Sequence, residues 1–197
     1  DSSGRMGTDS MSKATEADKE RLIAWTYNVQ DRFKGQGVEE IKAQLQASAF
    51  PFAVLMCVTQ DFNFASVIRS ANAFGAERVY HYGARKYDRR GTTGTHIYTD
   101  VIHLPTLDNV AALCDQYTLV ALENTNGSYP LDDFIWPGKP LLILGQEGDG
   151  IPSEILALAS HQVEILQFGS VRSINAAAAG SVAMYDFVRK YRKNQLC

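Results

Sequence analysis

The chain has 197 residues, of which 45% are hydrophobic and 21% are charged, and its formal net charge at pH 7 is −3. A chain of this length builds one domain around its own hydrophobic core, and this composition excludes disordered, collagen-like and disulfide-stapled proteins. The mild acidity argues against a protein that holds nucleic acid through its overall charge, but it does not exclude local basic patches.

The cysteines and histidines are distributed as in a reduced protein without a metal site. Cys57, Cys114 and Cys197 lack C-x-x-C spacing and the four histidines are dispersed, so we expect neither a disulfide framework nor a metal ion. Reduced thiols indicate a cytoplasmic protein. No apolar stretch reaches the roughly 18 residues of a membrane span, and the polar residues 1–20 do not resemble a signal peptide. We therefore expect no membrane partner.

The N-terminal part of the chain is predicted to be helical. Residues 1–11 resemble a disordered remnant of an expression tag. A capping-box pair opens an apolar helical pattern over residues 15–29, and a second helix is predicted at residues 38–47. Residues 12–49 are thus predicted to form a helical extension ahead of a main domain at residues 50–197.

Strands alternate with helices in the main domain. Residues 52–58 and 140–144 are continuous apolar runs of strand length, typical of strands buried in a parallel sheet. The other predicted strands are 78–82, 118–122 and 163–166, and the predicted helices are 65–74, 107–114, one that opens at Pro152, and 173–193. This alternation predicts an α/β fold with a mainly parallel sheet between helices. The order of the strands does not follow from the sequence.

The first segment with functional residues, 61–75, follows the first buried strand, where the ligand sites of open α/β sheets collect. Asn63 suits the N-cap position of the following helix. Arg69 lies six residues later, which is not a same-face spacing, but an N-cap side chain and Arg69 can still border one cleft. The alternative is an ordinary cap followed by a solvated arginine.

The second segment places Gly145, Gly148 and Gly150 directly after a buried strand. Glycines let the backbone take positive φ angles and approach a ligand closely. The phosphate-loop and dinucleotide-binding glycine patterns are both absent, and Glu147 would repel a phosphate, so a cationic or zwitterionic ligand suits the loop better. The alternative is a purely structural tight turn.

The third segment joins a Gly-Ser loop to a run of small residues at 176–181. Ser173 suits the N-cap of the last helix, which would place Asn175 in its first turn, near unpaired N–H donors. Small residues also allow another backbone to pass very close. A tightly packed core helix explains the alanines but not the polar Ser-x-Asn pair beside them.

Taken in this order, the three segments resemble the SpoU/TrmH family of the SPOUT superfamily, whose members are S-adenosylmethionine-dependent RNA 2′-O-ribose methyltransferases with a deep C-terminal trefoil knot. Ala65 departs from the glycine of the first family motif, and Ala177 stands where many members carry a second serine. The matching positions are Asn63 and Arg69, then Leu144, Gly145, Glu147 and Gly150, then Ser173, Ile174 and Asn175.

The resemblance implies a pocket that holds S-adenosylmethionine in a bent shape between the knot loops, with its adenine against backbone amides and apolar walls. Glycines at these turns remove side chains that would clash with the base. The implied cofactor-binding residues are Leu122, Glu123, Asn124, Leu144, Gly145, Gln146, Gly148, Gly150, Ile165, Leu166, Gln167, Ser173 and Ile174.

The resemblance also implies catalytic roles. We expect Arg69 to grip the neighbouring phosphate and to stabilise the developing alkoxide, because a guanidinium keeps its proton below about pH 12 and is a poor base. Asn63 would position Arg69 or the RNA, and Glu147 would hold Arg69 or its loop. Ser173 and Asn175 would orient the ribose hydroxyl or the methionine part of the cofactor.

The implied partners are RNA, with tRNA ahead of rRNA, and a second copy of the chain in a homodimer whose active sites form at the interface. Arg69 then serves either its own site or the partner subunit's. RNA needs local positive charge, so we expect it to contact the loop cluster Arg85, Lys86, Arg89 and Arg90; the alternative is a solvated loop. A non-catalytic RNA-binding dimer, and a methyltransferase that acts on a base or a small molecule, stay open.

Overall fold

The computed structural model describes residues 29–58, 62–86, 89–146 and 148–195. The helix predicted at 15–29, the suggested tag remnant and Glu147 therefore lie wholly or almost wholly outside the described residues. The described strands are β1 (Phe50–Val58), β2 (Ala76–Gly83), β3 (Val101–Leu104), β4 (Thr118–Leu122), β5 (Tyr129–Pro130), β6 (Pro140–Leu144) and β7 (His161–Glu164). The described α-helices are α1 (Val38–Ala47), α2 (Phe62–Ala73), α3 (Leu107–Ala111), α4 (Ser153–Leu156) and α5 (Ala176–Gln195).

The seven strands form one parallel sheet in the order β3-β2-β1-β6-β4-β7-β5. The chain first adds β2 and β3 on one side of β1 and then builds the other side with β4 to β7. The strand order thus reverses at β1, and ligand sites of open α/β sheets lie at such a reversal, beyond the carboxyl ends of the strands. The predicted α/β class is confirmed.

The apolar core explains why β1 and β6 read as continuous hydrophobic runs. Alternate residues of each strand face opposite sides of the sheet. Leu142 and Leu144 pack with α2 and α5 on one side, while Leu141 and Ile143 pack with α3 and α4 on the other. Both faces of the central strands are therefore buried, as in parallel sheets covered by helices.

A third, smaller apolar cluster anchors α1. Val38 and Ile41 of this helix pack with Phe33 and with Tyr98, which lies in the segment that leads to β3. The helix was predicted at 38–47 and occupies those residues. The described part of the N-terminal extension therefore rests directly on the main sheet domain. No described helix is long and apolar enough to cross a membrane.

Several predicted boundaries were wrong in ways that have physical causes. The predicted strand 163–166 lies two residues earlier, at β7, because only Val163 of that strand, the last but one in the sheet, is buried and its neighbours are polar. Strand β3 was not predicted, since its four residues are mostly half-exposed. Asn63 is not an N-cap: it is the second residue of α2, within the first turn.

Candidate functional site

The carboxyl ends of β4, β6 and β7 open into a cleft between three loops. The loop after β4 forms one wall, the glycine turn after β6 forms the second, and the segment 164–174 with the start of α5 forms the third. The residues that line it are Leu122, Glu123, Asn124, Leu144, Gly145, Gln146, Gly148, Gly150, Glu164, Ile165, Gln167, Ser173, Ile174, Ala176 and Ala179.

Almost all of the predicted cofactor-binding residues line this cleft, and Leu166 is the exception. Leu166 is 43% exposed and is absent from the cleft wall, whereas Ile165 and Gln167 on either side of it line the cleft. An extended segment points successive side chains in opposite directions, so it can turn only alternate residues toward a ligand. The predicted contact of Leu166 with the cofactor stays a prediction.

The glycine turn folds tightly onto itself. Gln146 and Gly150 exchange two backbone hydrogen bonds of 3.2 and 3.1 Å across the turn. A Cβ atom at Gly145 would lie 2.4 Å from the carbonyl carbon of Gly150, and Gly148 and Gly150 have φ angles of +97° and +70°. Only glycine tolerates this combination of close backbone approach and left-handed geometry. The turn therefore presents backbone to the cleft at Gly145, Gly148 and Gly150.

Glu123 and Asn124 fix the loops rather than leaving their polar groups for a ligand. The Glu123 carboxylate accepts hydrogen bonds from the backbone N–H groups of Ile151, at 3.1 Å, and of Asn124, at 3.2 Å. The Asn124 side-chain amide donates to the carbonyl oxygen of Arg172 at 3.1 Å. The loop after β4 thereby ties the glycine turn to the segment before α5.

Asn175 connects the first and third segments. Its side-chain Nδ2 donates to Oδ1 of the buried Asn63 at 2.7 Å. Its Oδ1 accepts from the backbone N–H groups of Ala177, at 3.0 Å, and Ala178, at 3.2 Å. Asn175 is thus the N-cap of α5, so the prediction that Ser173 caps this helix was wrong by two residues.

The small residues at the start of α5 bring that helix close to its neighbours. The Ser181 hydroxyl donates to the Ser70 hydroxyl on α2 at 2.8 Å. A Cβ atom at Gly180 would lie 2.6 Å from a methyl carbon of Leu144, so α5 rests directly on the end of β6. These contacts bear out the expectation of close packing around the small-residue run.

Gln167 presents a buried acceptor to the cleft. Its carboxamide oxygen is inaccessible to solvent and has no hydrogen-bond partner among the described residues. The neighbouring walls include the apolar side chains of Leu122, Leu144, Ile165 and Ile174. A buried acceptor without a donor is costly, typically about 1–3 kcal/mol, and a bound ligand with an N–H group would remove that cost. The family resemblance implied Gln167 as a cofactor-binding residue but assigned no role to its side-chain oxygen.

Arg69 does not line this cleft. Its exposed side chain borders a separate groove between the segment 29–50, the end of α2 and the end of α5. Within one chain the structure therefore joins Asn63 to Asn175, whereas Arg69 borders a different cavity from the cleft.

The four residues of the predicted RNA-binding cluster do not all line the same cavity. All four side chains, Arg85, Lys86, Arg89 and Arg90, are exposed, and Arg89 alone of the four lines the groove that Arg69 borders. The loop starts beside two tilted imidazole rings, those of His81 and His103, whose centroids lie 4.7 Å apart. The His81 ring hydrogen-bonds the carbonyl group of Ala84, and the His103 ring hydrogen-bonds that of Gly83. Burial and the neighbouring His103 lower the pKa of His81 to about 4, so its ring is neutral near pH 7.

The basic end of α5 has a structural explanation. The Lys190 ammonium lies 2.8 Å from the buried Asp186 carboxylate and also donates to three backbone carbonyl groups. Arg189 and Trp136 donate to the same carboxylate, each at 2.9 Å. Lys190 and Trp136 thereby hold the helix to the 131–136 segment. Within the described ranges, no cluster of three or more His, Cys, Asp or Glu side chains is arranged to hold a metal ion.

Comparisons with known proteins agree on one family. A model of the SpoU rRNA Methylase family matches residues 51–185. A 23S rRNA (uridine(2479)-2′-O)-methyltransferase of Streptomyces viridochromogenes is 32% identical over an alignment of 143 residues that covers 67% of this chain and 50% of that enzyme. The chain spans from 5% to 66% of the length of the first relatives that it matches.

Solved structures show the same architecture. The Aquifex aeolicus TrmH/SpoU tRNA modifying enzyme superposes with a TM-score of 0.71 at 19% identity, covering 80% of this chain and 84% of that one. The methyltransferase AviRb from Streptomyces viridochromogenes, solved with AdoMet, superposes with a TM-score of 0.64 at 29% identity, covering 72% of this chain and 58% of that one.

Proposed function

We propose, because the chain belongs to the SpoU rRNA Methylase family, that it transfers the methyl group of S-adenosylmethionine to a ribose 2′-hydroxyl of RNA. The observation that carries this proposal is the cleft at the carboxyl ends of β4, β6 and β7. Residues of the family's second and third motif segments line this one cleft. Asn175 at its edge is hydrogen-bonded to Asn63 of the first motif.

S-adenosylmethionine fits this cleft on two grounds. The apolar side chains and the glycine turn offer a flat, low-dielectric slot that suits a purine, and few polar groups are needed to orient a base in such a slot. The buried oxygen of Gln167 offers an acceptor for the 6-amino group of adenine. In this proposal the adenine ring contacts the side chains of Gln167, Leu144, Ile165 and Ile174. The backbone of the turn at Gly145 lies beside it.

The reaction needs an aligned hydroxyl more than a strong base. S-adenosylmethionine bound in the cleft would supply an electrophilic methyl group to the ribose 2′-oxygen, with S-adenosylhomocysteine as the leaving group and the hydroxyl proton passing to water. Arg69 holds the phosphate next to the target ribose and stabilises the charge that develops on the oxygen. Alignment of the two reactants supplies the larger share of the rate gain.

Asn175 acts as a positioning residue in this proposal. Its carboxamide oxygen accepts two backbone N–H groups of α5 and its Nδ2 donates to Asn63, so the side chain fixes where the segment 173–175 runs. Ser173, which lines the cleft with an exposed side chain, is then the better candidate to meet the hydroxyl or the methionine part. Glu147 keeps its predicted role of holding Arg69 or the loop as a hypothesis.

A homodimer completes the site in this proposal. Arg69 borders a different cavity from the cleft of its own chain, so a second copy is needed to bring the partner subunit's Arg69 to the methyl group. Exposed apolar side chains beside the cleft and on α5 offer a surface for that copy, with Phe168 93%, Val171 61% and Tyr185 57% exposed. Isolated proteins rarely leave large apolar side chains clustered in water. The C-terminal trefoil knot stays a prediction of the family resemblance.

We expect tRNA as the substrate and rRNA as the second candidate, in the cytoplasm. Relatives of both kinds match this chain, including tRNA (guanosine(18)-2′-O)-methyltransferases of Saccharomyces cerevisiae and Escherichia coli and the rRNA enzyme described above. The exposed residues Arg85, Lys86, Arg89 and Arg90 are the first candidates for contacts with RNA phosphates.

Complementation between two inactive variants tests the shared site. Arg69→Ala removes the arginine, and Gly145→Ala removes cofactor binding. If Arg69 acts across the interface, mixed dimers contain one complete site, and mixing the two proteins under exchange conditions restores about a quarter of the wild-type rate. If Arg69 acts within its own chain, mixing restores nothing. A near-wild-type rate for Arg69→Ala alone would refute its catalytic role.

Calorimetry separates the enzyme from the non-catalytic alternative. An RNA-binding dimer without activity has no need of the cofactor, whereas the enzyme binds S-adenosylmethionine in the absence of RNA. Saturable binding that Gly145→Ala abolishes supports the enzyme. Tight RNA binding without any cofactor binding would favour the binding module.

A further inference from the structure

We propose that the groove bordered by α1, α2 and the end of α5 is the path of the RNA strand that flanks the target nucleotide. This inference rests on the proposed function and names the surface that function uses. The groove has a volume of about 1290 Å³ and is larger than the cofactor cleft. Its wall includes four arginines from four different parts of the chain. We call it the arginine groove; its arginines are Arg32, Arg69, Arg89 and Arg192.

Ion pairing leaves the arginine groove positive although the chain as a whole is acidic. Each carboxylate that lines it lies within ion-pair distance of a cation: the pairs are Lys42–Glu39 at 3.2 Å, Lys139–Glu77 at 3.0 Å and Arg78–Asp100 at 3.1 Å. Arg32, Arg69 and Arg192, by contrast, form no ion pair with any other described residue, and all three are exposed. The positive charge that no carboxylate of the groove neutralises therefore lies on arginine side chains.

Arginine at this position favours a phosphodiester strand over other anionic partners. A guanidinium is planar, stays charged at every relevant pH and can grip a phosphate through two hydrogen bonds. Arg32 is also held by its neighbour, with its guanidinium carbon 4.5 Å from the centre of the Phe33 ring, so its charge stays at the groove wall. Several phosphates in a row match several arginines on separate elements, whereas a single carboxylate would match only one.

The position of Arg69 connects the arginine groove to the chemistry. In the proposed function Arg69 grips the phosphate beside the target ribose, so the strand that carries this phosphate must continue past Arg69 in at least one direction. The groove is the cavity that Arg69 borders, and Arg89 of the predicted RNA-binding loop lines the same cavity. RNA in the groove would thus contact one member of that loop cluster and extend to Arg32 and to Arg192 at the basic end of α5.

Matched substitutions on adjacent residues test the arginine groove. Arg192 lines it, while Lys193, next along α5 and equally exposed, does not. Arg32 lines it, while Lys34 does not and pairs with Asp31 at 2.6 Å. The measurement is the dissociation constant for an unmodified tRNA transcript, and for an rRNA fragment, between 50 and 500 mM salt.

We expect Arg192→Gln and Arg32→Gln each to lower the slope of log affinity against log salt by about 0.7 to 0.9, the contribution of one released phosphate contact. The same slope implies a loss of about fivefold in affinity at 0.15 M salt. Lys193→Gln and Lys34→Gln should leave both quantities unchanged, and all four variants should keep the wild-type affinity for S-adenosylmethionine.

Equal effects of Arg192→Gln and Lys193→Gln would overturn the proposal. The general positive potential of that surface, rather than contacts between the groove and individual phosphates, would then explain the binding. Unchanged RNA affinity in Arg32→Gln and Arg192→Gln would overturn it as well and would leave the groove to a protein partner. Failure of the proposed function looks different: RNA would bind with the expected slopes but receive no methyl group.

Discussion

Replacing Asn175 by alanine should remove two stabilising interactions at once. The first is the N-cap of α5, where Oδ1 accepts the N–H groups of Ala177 and Ala178; loss of such a cap costs about 1 kcal/mol. The second is the 2.7 Å hydrogen bond to Asn63, whose oxygen is buried, and its loss costs a further 1–2 kcal/mol. The total is about 2–3 kcal/mol, which for a chain of this length lowers Tm by about 5–10 °C.

Urea unfolding of three variants separates the two contributions. Asn175→Ser keeps a hydroxyl that can cap the helix but cannot reach Asn63, so it should lose only about 1–2 kcal/mol. Asn63→Ala removes the acceptor and leaves the cap intact. In the double-mutant cycle of Asn63→Ala and Asn175→Ala, the coupling energy should be about 1 kcal/mol.

Two outcomes would refute this account of Asn175. Strict additivity of the two alanine substitutions would show that the contact between Asn63 and Asn175 contributes nothing to stability. Equal destabilisation by Asn175→Ser and Asn175→Ala would show that the cap contributes nothing. In either case the connection between the first and third segments would need another origin.

Three further predictions concern the cleft and the loop after β2. Gly145→Ala places a methyl group 2.4 Å from backbone and should weaken S-adenosylmethionine binding by more than tenfold in calorimetry, whereas Gly138→Ala, with open space around its Cβ position, should not. Gln167→Leu should keep the fold but weaken binding by about 2- to 13-fold, the worth of one hydrogen bond; an unchanged Kd would contradict the role of its buried oxygen. Because the pKa of His81 falls to about 4 on folding, the unfolded chain binds more protons below pH 6.5, so the free energy of unfolding should decline as the pH falls from about 6.5 to 4. His81→Gln should flatten that decline, and an unaltered pH profile of unfolding would show that another group causes it.

The central strands were predictable because burial on both faces makes their sequences continuous apolar runs. Strands β4 and β6 and helix α1 occupy the predicted residues, and β1 extends its predicted run by only two. The outer strands were harder to predict. The edge strand β3, and β7, which only the two-residue β5 covers on its outer side, expose much of their surface and carry polar residues where a buried strand would be apolar.

The cofactor cleft was more predictable than the catalytic geometry. Glycines at Gly145 and Gly150 reveal a ligand loop from the sequence, because close backbone approach requires that residue type. The contact of Asn175 with Asn63 spans 112 residues and depends on how α2 and α5 pack, which no local pattern encodes. The separation of Arg69 from the cleft likewise emerges only from the folded arrangement. So does the buried oxygen of Gln167, which has no hydrogen-bond partner among the residues that the structure describes.

Nucleoside analysis after methyl transfer tests the central claim most directly. The protein is incubated with unmodified tRNA and rRNA and with S-adenosylmethionine labelled at the methyl group, and the RNA is digested to nucleosides for mass spectrometry. The account predicts label on the ribose 2′-oxygen at one nucleotide, and no label with Arg69→Ala. Label on a base, or none despite binding of both RNA and S-adenosylmethionine, would contradict it.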